Sequence, residues 1–81
     1  MKRIEVISID KIGLVGEITK VIRRLNGNII THTANVLLDA DNNPVSHFIA
    51  EISFEADSDN DAVSRRLHRI KNVKQVRITD I

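Results

Sequence analysis

The segment Asp10-Lys11-Ile12-Gly13-Leu14 has residue types that suit the binding of an anion. A β-branched run ends just before it, and a stretch with helical periodicity begins at Leu14. The free N–H groups at a helix start attract a carboxylate, and a glycine lets a ligand approach the backbone closely. The same residues have a plainer interpretation, in which Asp10 caps the helix and Gly13 only turns the chain. The spacing alone does not separate the two interpretations.

Asn28, which follows the first predicted helix, is a second candidate for ligand binding. Its side chain offers both a donor and an acceptor, which suits the charged ends of an amino acid. Asparagine is also common in turns, and Asn28 follows Gly27 at a point where the helix must end. Both interpretations stay open at the level of the sequence.

The histidines and the acidic clusters lack the spacing of a metal site. His32 and His47 fall on two neighbouring predicted strands, without a cysteine or a carboxylate that would complete a ligand set. The run at 39–43 begins like a calcium loop, yet Pro44 stands where that loop needs a glycine. We therefore predict no metal and no cofactor, and we interpret the acidic run as a turn.

Four cations late in the chain, Arg65, Arg66, Arg69 and Lys71, could form an anion patch. They also stand in the later turns of a predicted helix, where positive charge stabilises the helix dipole, and that interpretation is favoured. No nucleophile, base and orienting group can be recognised together. The sequence therefore predicts that the protein is not an enzyme and has no catalytic residues.

The composition restricts the class of protein. The 81 residues suffice for one small domain, and a net charge of +1 argues against a nucleic-acid partner held by bulk electrostatics. Only two residues are aromatic, which argues against an RNA-stacking sheet. No uncharged run is long and apolar enough for a membrane, and neither a signal region nor a cysteine is present. The expected location is the cytoplasm.

Two hydrophobic periodicities alternate along the chain and predict the order β-α-β-β-α-β. Apolar residues at helical spacing start at Leu14 and again after Ser58, which is expected to be an N-cap. Gly27 is expected in the left-handed position after the first helix, and Asn72 is expected to end the second. The predicted strands cover residues 3–9, 29–38, 45–55 and 73–79.

This order is typical of the ferredoxin-like sandwich, an α+β fold in which two helices cover one face of a four-stranded antiparallel sheet. The second strand then lies at a sheet edge. It is long, β-branched and free of charge and proline, so it lacks the usual protections of an edge. We expect a homodimer in which two copies pair side by side through this strand.

The motifs, taken in this order, resemble the ACT domain family. The family's first loop reads roughly Asp-Arg-x-Gly-Leu, to which residues 10–14 correspond, and its second strand opens with Asn-Ile, as at Asn28-Ile29. The passage from Ile70 to Val76 is similar to the family's last helix-to-strand connection. The resemblance covers essentially the whole chain. It is strongest to the ACT domain at the C-terminal end of stringent-response guanosine tetraphosphate synthetase/hydrolases and to small free-standing ACT proteins.

The resemblance implies one regulatory domain over residues 1–81 that binds a small molecule, an amino acid by preference, between two copies. The ligand would lie between the first loop of one copy and the start of the second strand of the other. Carried over by position, the ligand-binding residues are Asp10, Lys11, Ile12, Gly13 and Leu14 on one side and Asn28, Ile29 and Ile30 on the other. The alternative is a ligand-free dimerisation or protein-interaction module, which could be the regulatory domain of a larger enzyme.

Alignment on the family pattern also orients the first strand. It places the side chains of Ile4, Val6 and Ser8 under the helices and those of Ile7 and Ile9 on the open face of the sheet. Large apolar side chains gathered on an open face indicate a contact surface. We expect this surface to be covered by another subunit or domain.

Overall fold

The computed structural model describes residues 1–9, 13–56 and 59–81, which form six elements. In chain order these are β1 (Lys2–Ile9), α1 (Leu14–Arg24), β2 (Gly27–Leu38), β3 (Pro44–Phe54), α2 (Asn60–His68) and β4 (Val73–Asp80). The strands form one antiparallel sheet in the order β2-β3-β1-β4. The predicted ferredoxin-like α+β sandwich is confirmed, and β2 lies at a sheet edge as predicted.

The core lies between the two helices and the central strands β1 and β3. Alternate residues of each central strand face the helices, because successive side chains of a strand point to opposite faces. Each buried aliphatic side chain contributes about 1.5–3 kcal/mol to folding. The buried core consists of Ile4, Val6, Leu14, Ile18, Ile22, Phe48, Ala50, Ile52, Val63 and Leu67.

The open face of the sheet carries the odd-numbered side chains of β1, as the sequence predicts. Ile7 is half-buried and Ile9 is exposed, whereas Ile4, Val6 and Ser8 are fully buried. Polar side chains lie among the isoleucines: a Glu5 carboxylate oxygen is 3.7 Å from His47 Nε2, and Arg3 Nη2 forms an ion pair of 3.3 Å with a Glu51 carboxylate oxygen. The open face is therefore mixed in character, and its coverage by another subunit stays a prediction.

The turn after α1 differs from the prediction. Asn26 has the left-handed backbone, with φ of 62°, and Gly27 is the buried first residue of β2. A Cβ on Gly27 would lie 2.8 Å from the Ile22 Cγ2 and 3.0 Å from the Ile52 Cγ2. Gly27 is therefore required by the close approach of β2 to α1. Asparagine can supply the left-handed residue because its short polar side chain tolerates that conformation.

Both ends of α2 also differ from the prediction. The N-cap is Asp59, whose carboxylate accepts a hydrogen bond of 3.0 Å from the Asp61 N–H, while Ser58 lies outside the described residues. The helix ends at His68 instead of reaching Asn72, which has a left-handed φ of 78° just before β4. The error at the N-cap arises because aspartate and serine are about equally good N-caps.

Asp39 organises the turn between β2 and β3. Its carboxylate accepts hydrogen bonds from the N–H groups of Asp41 and Asn43, each 2.9 Å long. The bond from Asn43 is the main reason why the pKa of Asp39 lies below its ordinary value. The acidic run therefore serves as a turn, in agreement with the interpretation from the sequence.

Candidate ligand site

The N-terminus of α1 is open at Gly13. This residue is the N-cap of the helix and has a left-handed backbone, with φ of 84° and ψ of −4°. Its place at the cap means that no side chain of the cap residue can accept from the first N–H groups of the helix. Apart from its chain neighbours, no heavy atom of the described residues lies within 4 Å of the position that a Cβ on Gly13 would take. The first turn of α1 therefore presents backbone donors beside open space.

The other predicted residues of the first loop fall into two groups. Leu14 is buried in the core, so only its backbone can face a ligand. Asp10, Lys11 and Ile12 lie outside the described residues. The structure therefore places Gly13 and the backbone of Leu14 at this candidate site.

The second set of predicted residues lies at the start of β2. Asn28 is exposed and pairs with Ser53 of β3. Ile29 is half-buried against the core, whereas a shift of register at Ile30 leaves that residue unpaired and exposed. Asn28 and Ile30 are thus accessible to a ligand, and Ile29 supports them from the core side.

The two sets lie at opposite ends of one chain. Gly13 precedes α1, which spans about 16 Å, and β2 begins just beyond the far end of this helix. The sheet end beside Gly13 carries the end of β1 and the end of β2, because Ile9 pairs with Val45 and Val45 pairs with Leu37. A single copy therefore does not bring Gly13 and Asn28 together.

Two buried serines lie at the sheet end where α1 begins. Neither was predicted as a site residue from the sequence. Ser8 and Ser46 face each other across β1 and β3 on the helix side of the sheet. Ser8 is only 1% exposed, and its Oγ has no hydrogen-bond partner among the described residues. An unpaired buried hydroxyl costs about 1–3 kcal/mol. The sequence signal was the break in apolar alternation after Val6 of β1.

The two strand histidines lie on opposite faces of the sheet. His32 pairs with Ala50 on the helix side, where its ring stacks on Phe48 with the centroids 5.7 Å apart. His47 lies on the open face, 3.7 Å from a carboxylate oxygen of Glu5. Within residues 1–9, 13–56 and 59–81, no cluster of three metal-ligating side chains is found.

Comparison with solved structures identifies the type of fold. The ACT domain of GTP pyrophosphokinase from Chlorobium tepidum superposes with a TM-score of 0.72 and 22% identity, covering 96% of this chain and 95% of that one. The chain has the ACT fold. An unknown protein from Galdieria sulphuraria matches with a TM-score of 0.76 and 13% identity, over 99% of this chain and 45% of that one.

The ACT fold also resembles a domain that binds another protein. The P2 domain of the chemotaxis kinase CheA from Thermotoga maritima, solved in complex with the response regulator CheY, has a TM-score of 0.55 and 15% identity. The match covers 99% of this chain and 98% of that one. No family model and no curated protein matches the sequence. In the described part of the chain, no helix is both long enough and apolar enough to cross a bilayer.

Proposed function

We propose that this protein is a regulatory module of ACT type that binds an amino acid at a site shared by two copies. The observation that supports it most directly is the helix start at Gly13, which has no side-chain cap and beside which no described residue fills the Cβ position. The unpaired Ser8 hydroxyl at the same sheet end is a second unsatisfied polar group. A carboxylate would satisfy the helix donors, since anions are stabilised at a helix N-terminus.

The edge strand β2 supports the pairing of two copies. Every residue from Ile30 to Leu38 is exposed, and none of them is charged or a proline. The exposed fractions of Val36, Leu37 and Leu38 are 59%, 52% and 65%. A long apolar edge of this kind readily pairs with another strand.

Antiparallel pairing of two β2 strands would complete the site. Since the end of β2 lies beside Gly13 in its own copy, the start of the partner's β2 would come to that same place. Asn28 of one copy would then lie near Gly13 of the other. The amino acid would bind with its carboxylate at the helix start and with its remaining polar atoms near the Asn28 side chain.

A non-catalytic role agrees with the kind of protein that shares the fold. The Chlorobium tepidum structure is the ACT domain of a larger enzyme, which supports a regulatory role for the same fold here. The cytoplasmic location and the lack of nucleic-acid and membrane partners stay predictions from the sequence.

A calorimetric screen of the twenty amino acids tests this function. We expect one or a few of them to bind the wild type, and Asn28→Ala to lower the affinity about threefold to tenfold through the loss of one hydrogen bond. Asn35→Ala is the matched control, because Asn35 is another exposed asparagine of β2. Absence of binding at millimolar concentration, or equal effects of the two variants, would contradict the proposal.

A variant at Gly13 tests the other half of the site. Gly13→Asn adds a side chain in the open space while keeping a residue that tolerates the left-handed backbone. We expect a folded protein that has lost most of its amino-acid affinity. Thermal unfolding checks the fold, and unchanged affinity in a folded variant would show that the ligand binds elsewhere.

The second candidate function is a protein-interaction module without a ligand. The exposed edge of β2 favours pairing with a partner strand whether or not an amino acid is present. The similarity in fold to a CheA domain that was solved in complex with CheY supports this candidate. This function would be favoured if the wild type dimerised strongly and no amino acid bound.

A further inference from the structure

A cationic groove lies between α1 and the end of α2. Its volume is about 520 Å³. Glu17 is the one carboxylate among its lining residues, so the groove carries a net charge of +4 in a chain whose total is +1. The cations that line it are Lys20, Arg24, Arg66, Arg69 and Lys71.

These five side chains have no counter-ion among the described residues. The ion pairs there are Lys2 with Asp80 and Arg3 with Glu51, and neither involves the groove. Like charges held side by side repel one another and destabilise the compact state. The convergence of five unpaired cations therefore works against stability in the absence of an anion.

The helix dipole explains only part of this arrangement. Arg24 and Arg66 stand in the last turns of their helices and Arg69 is the C-cap of α2, so a cation is favourable at all three positions. Lys20 lies near the middle of α1, beyond the reach of that effect. Arg23 and Arg65 serve the same two helix ends but do not line the groove. The dipole therefore does not account for the gathering of charge from two helices at one place.

We propose that this groove binds a small molecule bearing two or more phosphate groups. Three of its cations are arginines, whose planar guanidinium groups donate pairs of hydrogen bonds to phosphate oxygens. Such a ligand carries several negative charges, which match the net charge of the groove. The volume falls within the range of about 300–1,000 Å³ for small-molecule clefts.

The groove has an apolar floor as well. Val21 and Ile70 line it and are packed against the core. Apolar walls strengthen the attraction between charges by lowering the local dielectric. They also offer a contact for the non-phosphate part of a ligand.

This site is separate from the amino-acid site. The groove involves α1 from Glu17 onward, whereas the proposed amino-acid site begins at Gly13. An amino acid carries one carboxylate, which does not call for five cations. The phosphate proposal therefore does not rest on the amino-acid proposal, and either can fail alone.

Calorimetry with inorganic tripolyphosphate at physiological ionic strength tests the proposal. We expect the wild type to bind with a Kd below about 1 mM, and Arg24→Gln with Arg66→Gln to lower the affinity by about tenfold or more. The matched control is Arg23→Gln with Arg65→Gln. It removes the same charge from neighbouring exposed positions of the same two helices.

Three results would overturn the proposal. The first is no binding of tripolyphosphate to the wild type. The second is an equal loss of affinity in both double variants, which would mean that only the overall positive charge of the two helices attracts the anion. The third is tighter binding of hexaglutamate than of tripolyphosphate, which would indicate an acidic protein segment as the occupant. Changes in amide chemical shifts on addition of tripolyphosphate show where it binds, and we expect the largest changes at Val21 and Ile70.

Discussion

Asparagine holds the left-handed backbone at three turns of this chain. Asn26, Asn42 and Asn72 have φ values of 62°, 61° and 78°. Asparagine tolerates this conformation because its side chain is short and can hydrogen-bond locally. Of the three glycines, Gly13 shares this left-handed backbone, whereas Gly27 is needed for close packing against α1.

The packing of Gly27 leads to a stability prediction. Gly27→Ala would place a Cβ 2.8 Å from the Ile22 Cγ2, so we expect a loss of about 1–3 kcal/mol in the free energy of unfolding. Gly16→Ala in α1 is the control, since no atom lies within 4 Å of its Cβ position. That change should stabilise the protein by about 0.5–1 kcal/mol. Urea unfolding measures both, and equal effects would contradict the packing argument.

Asp39 leads to a prediction about pH. The hydrogen bonds from Asn43 and Asp41 hold its pKa below the ordinary value of 3.8. The charged carboxylate therefore supports the folded turn above pH 3.8, and this support is lost as the pH falls through the lowered pKa. We expect the Asn43 amide resonance to titrate below pH 3.8. An Asp39→Asn variant should lack this transition, and a midpoint above 3.8 would contradict the assignment.

At the scale of the element, the two edges of the sheet differ in chemistry. β4 carries Lys74 and Arg77, and charged side chains protect an edge from pairing. β2 has no charged residue along its whole length. The β2 edge of the sheet is therefore able to pair with a further strand, whereas the charges of β4 protect the opposite edge.

A pair of threonine variants tests this asymmetry. Thr33 lies near the middle of β2, so a two-fold axis through that strand would bring the two Thr33 side chains close together. Thr33→Lys would place like charges face to face, and we expect self-association to weaken at least about tenfold. Thr79→Lys on β4 is the control, because Thr79 is also exposed and on an edge strand. Sedimentation velocity distinguishes the outcomes, and equal weakening would exclude β2 as the specific interface.

The order of the elements and the position of β2 could be predicted from the sequence, because periodicity and crossover handedness determine them. The details of the turns could not. Asn26 and Gly27 both tolerate left-handed backbone, and only the packing of Ile22 shows which one must be glycine. Ser58 and Asp59 are likewise both good caps.

The candidate site was predictable only in part. The helix start at Gly13 has a recognisable motif, whereas Ser8 shows only as a break in the apolar alternation of its strand, which does not by itself indicate a binding site. The cationic groove joins residues of α1 to Arg66 of α2 and to residues 69–71 just after it, more than forty positions away. Their proximity depends on how the helices pack, so the sequence shows the cations but not the groove.

At the scale of the whole molecule, the proposed amino-acid site couples binding to assembly. A site made from two copies binds its ligand only in the dimer. The factor by which dimerisation raises the affinity for the ligand is therefore also the factor by which the ligand raises the affinity between the two copies. We expect the dimer dissociation constant to fall when the amino acid found in the screen is added. Gly13→Asn should dimerise but fail to respond. If an amino acid bound but the dimer dissociation constant stayed the same, the ligand would lie within one copy.

The pairing of β1 with β4 has a consequence for how the chain folds. Lys2 and Asp80 are partners in the sheet, and their side chains form an ion pair of 2.7 Å. Contacts between residues so distant in sequence form late, because closing a long loop costs entropy before any contact rewards it. Until β4 docks, β1 is the edge of a three-stranded sheet with its backbone groups unpaired on that side. An emerging chain therefore remains prone to mispairing until residues 73–80 leave the ribosome.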